Sequence, residues 1–272
     1  GIVKGDKVLL LSENMPNWGI AYFAISYFGG VVVPVLPDFH TEDVHRIMYH
    51  SEVKAAFVSS RYEETIRSCE DSHLMFCINL DAFEIIDSLS NTKYMSQAAL
   101  KKDSYIIEKP QEDDLASLIY TSGTTGNSKG VMLSHKNLVT NAMSAHVQLS
   151  ITAEDIFLSV LPLAHTFECT TGLLIPVLHG SSVYYIDKVP TPSVLLKAFS
   201  VVKPTMILMV PLLIEKIYKN KILPKFTSSA LMRFLYSIGF IRKALNKIAG
   251  KKLIETFGGR IRFCGIGGAG LS

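Results

Sequence analysis

The sequence predicts an α/β fold of layered parallel and mixed sheets flanked by helices, on three observations. Strand-like and helix-like segments alternate over the first 210 residues in a βαβα rhythm, which requires largely parallel sheets. Of the 272 residues 48% are hydrophobic, enough for a large buried core and too many for a disordered chain. Three uncharged stretches, Met15–Pro37, Ile156–Phe167 and Cys169–Ile186, are interrupted by Gly29, Gly30, Pro34, Pro162, Gly172, Pro176 and Gly180. Broken runs of this kind read as buried helix–turn–strand units rather than membrane spans.

Lys7–Leu11 is the first strand candidate. Pro16 stands at a favoured first helical position, and Trp18–Phe28, apolar nearly all round, follows as a buried helix ended by Gly29-Gly30. Val31–Val35 is β-branched and reads as a strand. Thr41 is placed to cap a helix with Val44, Ile47, Met48 and Ser51 on one face. Further strands are expected at Ala55–Ser59, Leu74–Ile78, Leu115–Tyr120, Val131–Ser134, Ile156–Leu161, Ser182–Ile186, Met206–Met209 and Ile261–Cys264. Helices are expected at His135–Leu149, Ser193–Val201 and Leu212–Tyr218. Ser88–Asp114 is the most loop-like stretch and the expected subdomain boundary.

The chain opens directly into its first strand, with no basic leader or small-residue cleavage site, so no secretory signal is expected. Cys69, Cys77, Cys169 and Cys264 lack CxxC spacing, which suits reduced thiols in a cytoplasmic protein better than disulfides or a zinc site. Charge is unevenly spread. Ten of the 27 basic residues and no acid fall between Lys216 and Ile254, leaving 17 basic against 24 acidic residues elsewhere. Such a patch attracts phosphorylated ligands, anionic lipid or nucleic acid.

The strongest chemical signal is Tyr120–Gly130, YTSGTTGNSKG. Gly123, Gly126 and Gly130 let the backbone adopt positive φ and approach a ligand closely. Thr121, Ser122, Thr124 and Thr125 add hydroxyls beside backbone N–H groups, and Lys129 adds a positive charge, together a cradle for phosphate oxygens. No Gly-Lys-Ser/Thr follows the first glycine at Walker spacing, so this is a different phosphate loop. The plain alternative is a hairpin turn rich in Ser, Thr and Gly.

With Val131-Met-Leu-Ser-His after it, this segment resembles the signature of the adenylate-forming enzymes: acyl-CoA synthetases, luciferases and peptide-synthetase adenylation domains. Ser128 departs from it, standing where the family usually has proline. Other segments are similar in the same order: Gly5–Val8 through Pro16, Gly29–Pro34, Leu161-Pro-Leu-Ala-His165, Val210-Pro211 and Gly265–Ser272, in which Gly270 again replaces a usual proline. The resemblance implies that the chain is an incomplete N-terminal domain of such an enzyme, with ATP, Mg²⁺ and CoA as its small-molecule partners. It implies that Thr121 helps ligate Mg²⁺, that Lys129 reaches the phosphates, and that His165 lines the carboxylate pocket. Gly267, Gly268 and Ala269 would then lie against the acyl group and adenine. The family's metal-binding glutamate, ribose-binding aspartate, hinge and C-terminal lysine have no equivalents before Ser272, so the chain by itself is expected to be inactive.

Two signals have second readings. A lone histidine in an apolar stretch is commonly a hydrogen-bonded core residue, yet His165 follows a strand end, where α/β folds place binding residues. GIGGAG after Ile261–Cys264 also spells a dinucleotide fingerprint for NAD or FAD, without the required following helix and acidic residue. In Ser228–Ile248, Leu231, Phe234, Leu235, Ile238, Leu245 and Ile248 recur at helical spacing with Arg233, Lys243 and Lys247 largely opposite. This is either a solvated basic face or a helix lying on an anionic membrane. The insertion resembles that of long-chain fatty acyl-CoA synthetases. The function expected is thus ATP-dependent activation of a fatty acid and its transfer to CoA, by a cytoplasmic enzyme with peripheral contact to the inner face of a membrane through 216–254 and no nucleic-acid partner. The rivals are adenylation of an amino or aryl acid for a carrier-protein thiol, and a non-catalytic nucleotide- or membrane-binding module.

Overall fold

A computed structural model describes residues 2–70, 74–86, 89, 108–121, 129–186, 188–224 and 229–267. They divide into two compact units, one formed by 1–145 with 162–170 and the other by 146–161 with 171–272. Of the expected loop-like stretch Ser88–Asp114, residues 88 and 90–107 lie outside the described residues.

The first unit is built on a seven-stranded sheet in the order β5-β4-β3-β1-β2-β6-β7. Its strands are β1 (Lys7–Leu11), β2 (Val31–Pro34), β3 (Ala55–Val58), β4 (Phe76–Asn79), β5 (Glu84–Ile85), β6 (Leu115–Thr121) and β7 (Lys129–Ser134). The five central strands run parallel, while β5 and β7 are antiparallel edges. Parallel strands covered on both faces need apolar residues at every position, and Leu9, Leu10 and Leu11 are all essentially inaccessible. The crossovers are α1 (Pro16–Tyr27), α2 (Thr41–Ser51) and the short α3 (Glu63–Arg67). In α2 the expected face of Val44, Ile47, Met48 and Ser51 is the buried one. Thr41, however, is the first helical residue and not a cap: the chain turns at His40, and no side chain caps this end. The helix α4 (His135–Leu149) is capped reciprocally, Ser134 Oγ accepting from Asn137 N at 3.2 Å and Asn137 Oδ1 from Ser134 N at 3.0 Å.

The second unit carries a parallel sheet in the order β11-β10-β8-β9, from β8 (Ile156–Ser159), β9 (Ser182–Tyr185), β10 (Met206–Met209) and β11 (Phe263–Ile266). The strand expected over Ile156–Leu161 is shorter because the chain turns ahead of Pro162. A three-residue α5 (Thr166–Glu168) belongs to the first unit. The connections of the second include α6 (Ile175–His179), α7 (Pro192–Val202) and α8 (Pro211–Ile217). Leu158, Leu195, Phe199, Ile207, Met209 and Phe257 form its core.

The basic segment is a pair of helices, not the single helix its apolar period predicts. It contains α9 (Ala230–Ser237) and α10 (Gly239–Thr256), separated at Ile238, whose φ of −83° and ψ of 117° are extended. Gly239 at the break has the poor helix propensity that makes interruption cheap. A hydrogen bond of 2.8 Å from Tyr236 Oη to Asn246 Oδ1 ties the two helices together. Among the described residues, no helix is long and apolar enough to cross a membrane.

Candidate functional site

Thr121 ends β6 and Lys129 begins β7, and the antiparallel register makes them direct cross-strand neighbours. The connection between them is a hairpin whose seven residues include Ser122, Gly123, Thr124, Thr125 and Gly126, all outside the described residues, as is Ser128. The segment is thus a hairpin, as the plain alternative held, with seven residues between its paired ends where a tight turn needs two. Because β6 runs parallel to β2, Thr121 lies at the C-terminal edge of the parallel strands, where α/β sheets present ligand-binding residues. Both Thr121 and Lys129 are exposed.

The root of the hairpin is packed. Tyr120 is buried in the core of the first unit, and its hydroxyl is hydrogen-bonded to His50 Nδ1 at 2.6 Å. Burial pushes the Tyr120 phenol up, against the opposing influence of the Ser51 hydroxyl. Gly130, opposite Tyr120, is not at positive φ as the sequence suggested. Its lack of a side chain serves close approach: a Cβ there would meet Leu118 Cδ1 at 3.0 Å and the Tyr120 ring at 3.5 Å.

His165 is exposed and caps α5, its Nδ1 accepting from Phe167 N at 3.2 Å. An accepting Nδ1 places the proton of the neutral ring on Nε2, leaving His165 a hydrogen-bond donor. The turn before it is fixed at two points. Leu163 N donates to Asn14 Oδ1 at 2.9 Å, and His165 N donates to Pro162 O at 2.9 Å. Asn14, just beyond β1, thus anchors the Leu161–His165 segment. Sequence reading gave it no role, although a polar residue at the end of an apolar strand is a signal worth weighing.

Gly267 belongs to the second unit and directly follows β11, its N donating to Met209 O at 3.2 Å. Gly268 and Ala269 lie outside the described residues. Burial pushes the thiols of Cys77 and Cys169 up to about 12, so both stay protonated and unreactive. Among the described residues no cluster of His, Cys, Asp or Glu forms a metal site.

Two largely parallel sheets with helical crossovers place the chain in the α/β class. Within that class it belongs to the AMP-binding enzyme family, whose model matches residues 1–272. It is 29% identical over 296 residues to the peroxisomal long chain acyl-CoA synthetase 6 of Arabidopsis thaliana, covering 100% of this chain and 42% of that protein. It is 26% identical over 292 residues to fatty acyl-CoA synthetase A of Dictyostelium discoideum, covering 100% and 43% respectively. The chain thus spans less than half the length of these relatives. Its fold matches ATP-bound MatB from Rhodopseudomonas palustris with a TM-score of 0.70 at 22% identity, over 99% of this chain and 46% of that one.

Proposed function

We propose that the chain forms the ATP- and acid-binding N-terminal part of an AMP-forming long-chain fatty acid–CoA ligase. The observation that carries this reading is the pairing of Thr121 with Lys129 at the mouth of a Ser/Thr/Gly loop on the C-terminal edge of a parallel sheet. The likeness to long-chain acyl-CoA synthetases supplies the substrate class. In the reaction, a carboxylate oxygen attacks the α-phosphorus of ATP and the bond to pyrophosphate breaks, giving acyl-AMP. The CoA thiol then attacks the acyl carbon, and AMP leaves.

The enzyme's part is positioning and charge neutralisation. Lys129 and the hydroxyls and amides of Thr121, Ser122, Gly123, Thr124, Thr125 and Gly126 hold the phosphate chain. Mg²⁺, held with help from the Thr121 hydroxyl, would neutralise phosphate charge. His165 Nε2–H donates to the carboxylate as its charge shifts. Gly267, Gly268 and Ala269, lacking bulk, wall the acyl and adenine pocket.

In the full-length protein, Lys129→Ala should lower fatty-acid-dependent pyrophosphate exchange about 10²-fold in kcat/KM, because one preorganised charge on the phosphates is lost. ATP should also protect Lys129 from acylation in the wild-type protein. Absence of both exchange and protection in the wild type would end this reading. Exchange with aryl or amino acids but not fatty acids would reassign the substrate. Fatty-acid-dependent pyrophosphate release by residues 1–272 alone would show that the remaining half of the ligase is dispensable, contrary to the proposal.

A specific observation favours peripheral membrane contact as a second role. Leu231, Phe234, Phe240 and Ile248 on α9 and α10 are more than half exposed, alongside exposed Arg242, Lys243, Lys247 and Lys251. The side chains of Lys221, Lys225 and Arg233 lie outside the described residues. Aromatic groups beside cations suit the headgroup layer of an anionic bilayer. The protein is expected to sediment with phosphatidylserine-containing vesicles at low salt and not with neutral ones. Phe234→Ser with Phe240→Ser should release it, whereas no sedimentation of the wild type removes the membrane role.

A further inference from the structure

His50 lies outside every motif that marks the candidate site, yet it touches the site's foundation. It is the penultimate residue of α2, and α2 is separated from β6 by a long stretch of chain. Its Nδ1 and the Tyr120 hydroxyl share a hydrogen bond of 2.6 Å, and the rings meet edge to face at 5.6 Å and 88°. Tyr120 directly precedes Thr121, and its cross-strand neighbour Gly130 directly follows Lys129. The Tyr120 ring rests against the space left open by Gly130. The ring itself is buried, at 5% exposure, while His50 is exposed. The phenol therefore meets His50 at 2.6 Å and the Ser51 hydroxyl from the end of the same helix, and the bond to His50 helps fix where the ring can sit.

We propose that His50 is a positioning residue for the phosphate-binding hairpin: through Tyr120 it holds the root of the loop so that Thr121 and Lys129 face the phosphates together. The inference rests on the ligase reading above. A loop that keeps its binding geometry only part of the time binds its ligand more weakly in proportion to that fraction. The effect should therefore fall on ATP and not on the acid, whose proposed contact, His165, bonds Pro162 O in a turn that Asn14 holds at Leu163 instead.

The test is steady-state kinetics of the full-length protein with ATP and fatty acid varied separately, alongside thermal melts. His50→Ala and Tyr120→Phe should each raise KM for ATP about fivefold, the worth of one hydrogen bond, with kcat and the acid's KM within about twofold. The double variant should be no worse than Tyr120→Phe alone, because the bond that His50→Ala removes is already lost in Tyr120→Phe. His50→Asn, whose amide can donate or accept at similar reach, should recover most of the ATP affinity. His50 is exposed, so its replacement leaves the core intact even if Tyr120→Phe loosens it. An unchanged KM for ATP in His50→Ala, or an equal rise in both KM values with a lowered melting temperature, would overturn the positioning role. A wild-type protein with no acid-dependent exchange would instead refute the ligase reading on which it rests.

Discussion

Asp155→Ala should destabilise the second unit by about 3 kcal/mol, because it removes a buried carboxylate that accepts from several donors, while its half-exposed partner Arg262 stays solvated. Asp155 is 2% exposed at the start of β8. Arg262, just before β11, donates to it through Nε at 3.1 Å and Nη2 at 2.5 Å. Thr205 Oγ1 donates at 2.6 Å and Thr152 N at 2.9 Å. Thr205 Oγ1 in turn accepts from Ile156 N at 2.9 Å, and Arg262 also reaches Ser150 O at 3.3 Å. One carboxylate therefore ties the turn before β8 to the approaches of β10 and β11. Arg262→Ala should cost less, about 2 kcal/mol, because the guanidinium is half-exposed and Asp155 keeps its Thr205 and Thr152 donors.

The same cluster gives a pH signature. Burial pushes the Asp155 carboxyl up, but Arg262, Thr205 and Thr152 together hold it below its ordinary value. A carboxyl depressed in the folded state contributes its full stability above the unfolded value of about 3.9 and loses it as pH falls through the folded value. Wild-type stability should thus show a decline below about pH 4 that Asp155→Asn reduces. Urea melts across pH 3–7 measure both effects. A loss below about 1 kcal/mol for Asp155→Ala at pH 7 would show that the network is incidental.

The parts of this architecture that the sequence made legible are those set by local pattern. The apolar run Lys7–Leu11, the helical face of Val44, Ile47, Met48 and Ser51, and the β-branched Val31–Pro34 each announce element and burial together, because a strand covered on both faces and a one-sided helix have distinct periods. The strand β5 and helix α3, with two and five residues, are too short to show a period. The break at Ile238 was hidden because the apolar spacing runs through it, and a period reports the face of a helix but not its continuity. Within the candidate site, Thr121 and Lys129 stood out by residue type, but their pairing did not, because the strands were expected to end at Tyr120 and begin at Val131, whereas they run further. His50 and Asn14 were not, since each acts through one hydrogen bond to a residue distant in sequence. Gly130 was marked for the wrong reason. A glycine in a loop signature suggests unusual φ, and only the folded chain reveals that the need is room for Leu118 and Tyr120.

Gly258→Ala should be the most damaging of the single-methyl additions at the left-handed glycines, at about 2–4 kcal/mol, and its neighbour shows why. The helix α10 ends in a Schellman motif: Gly258 N donates to Glu255 O at 3.1 Å and Gly259 N to Ile254 O at 2.9 Å. Gly258 has φ +93° and Gly259 φ +76°, so an L residue is strained at either, by roughly 1–2 kcal/mol. Only Gly258 is also enclosed. A Cβ there would stand 2.7 Å from the Phe199 carbonyl oxygen and 2.8 Å from Lys203 Cα, both backbone atoms at the end of α7, whereas one on Gly259 meets nothing within 4 Å. Backbone cannot rotate away, so α7 and α10 would have to separate, disturbing the contact of the Phe199 and Phe257 rings at 4.6 Å. Chemical denaturation of Gly258→Ala and Gly259→Ala in parallel isolates the steric share, since backbone strain is common to both. Gly258→Ala should lose at least about 1 kcal/mol more, the lower end of what overpacking costs. Equal losses would mean that the end of α7 gives way to a methyl group without penalty.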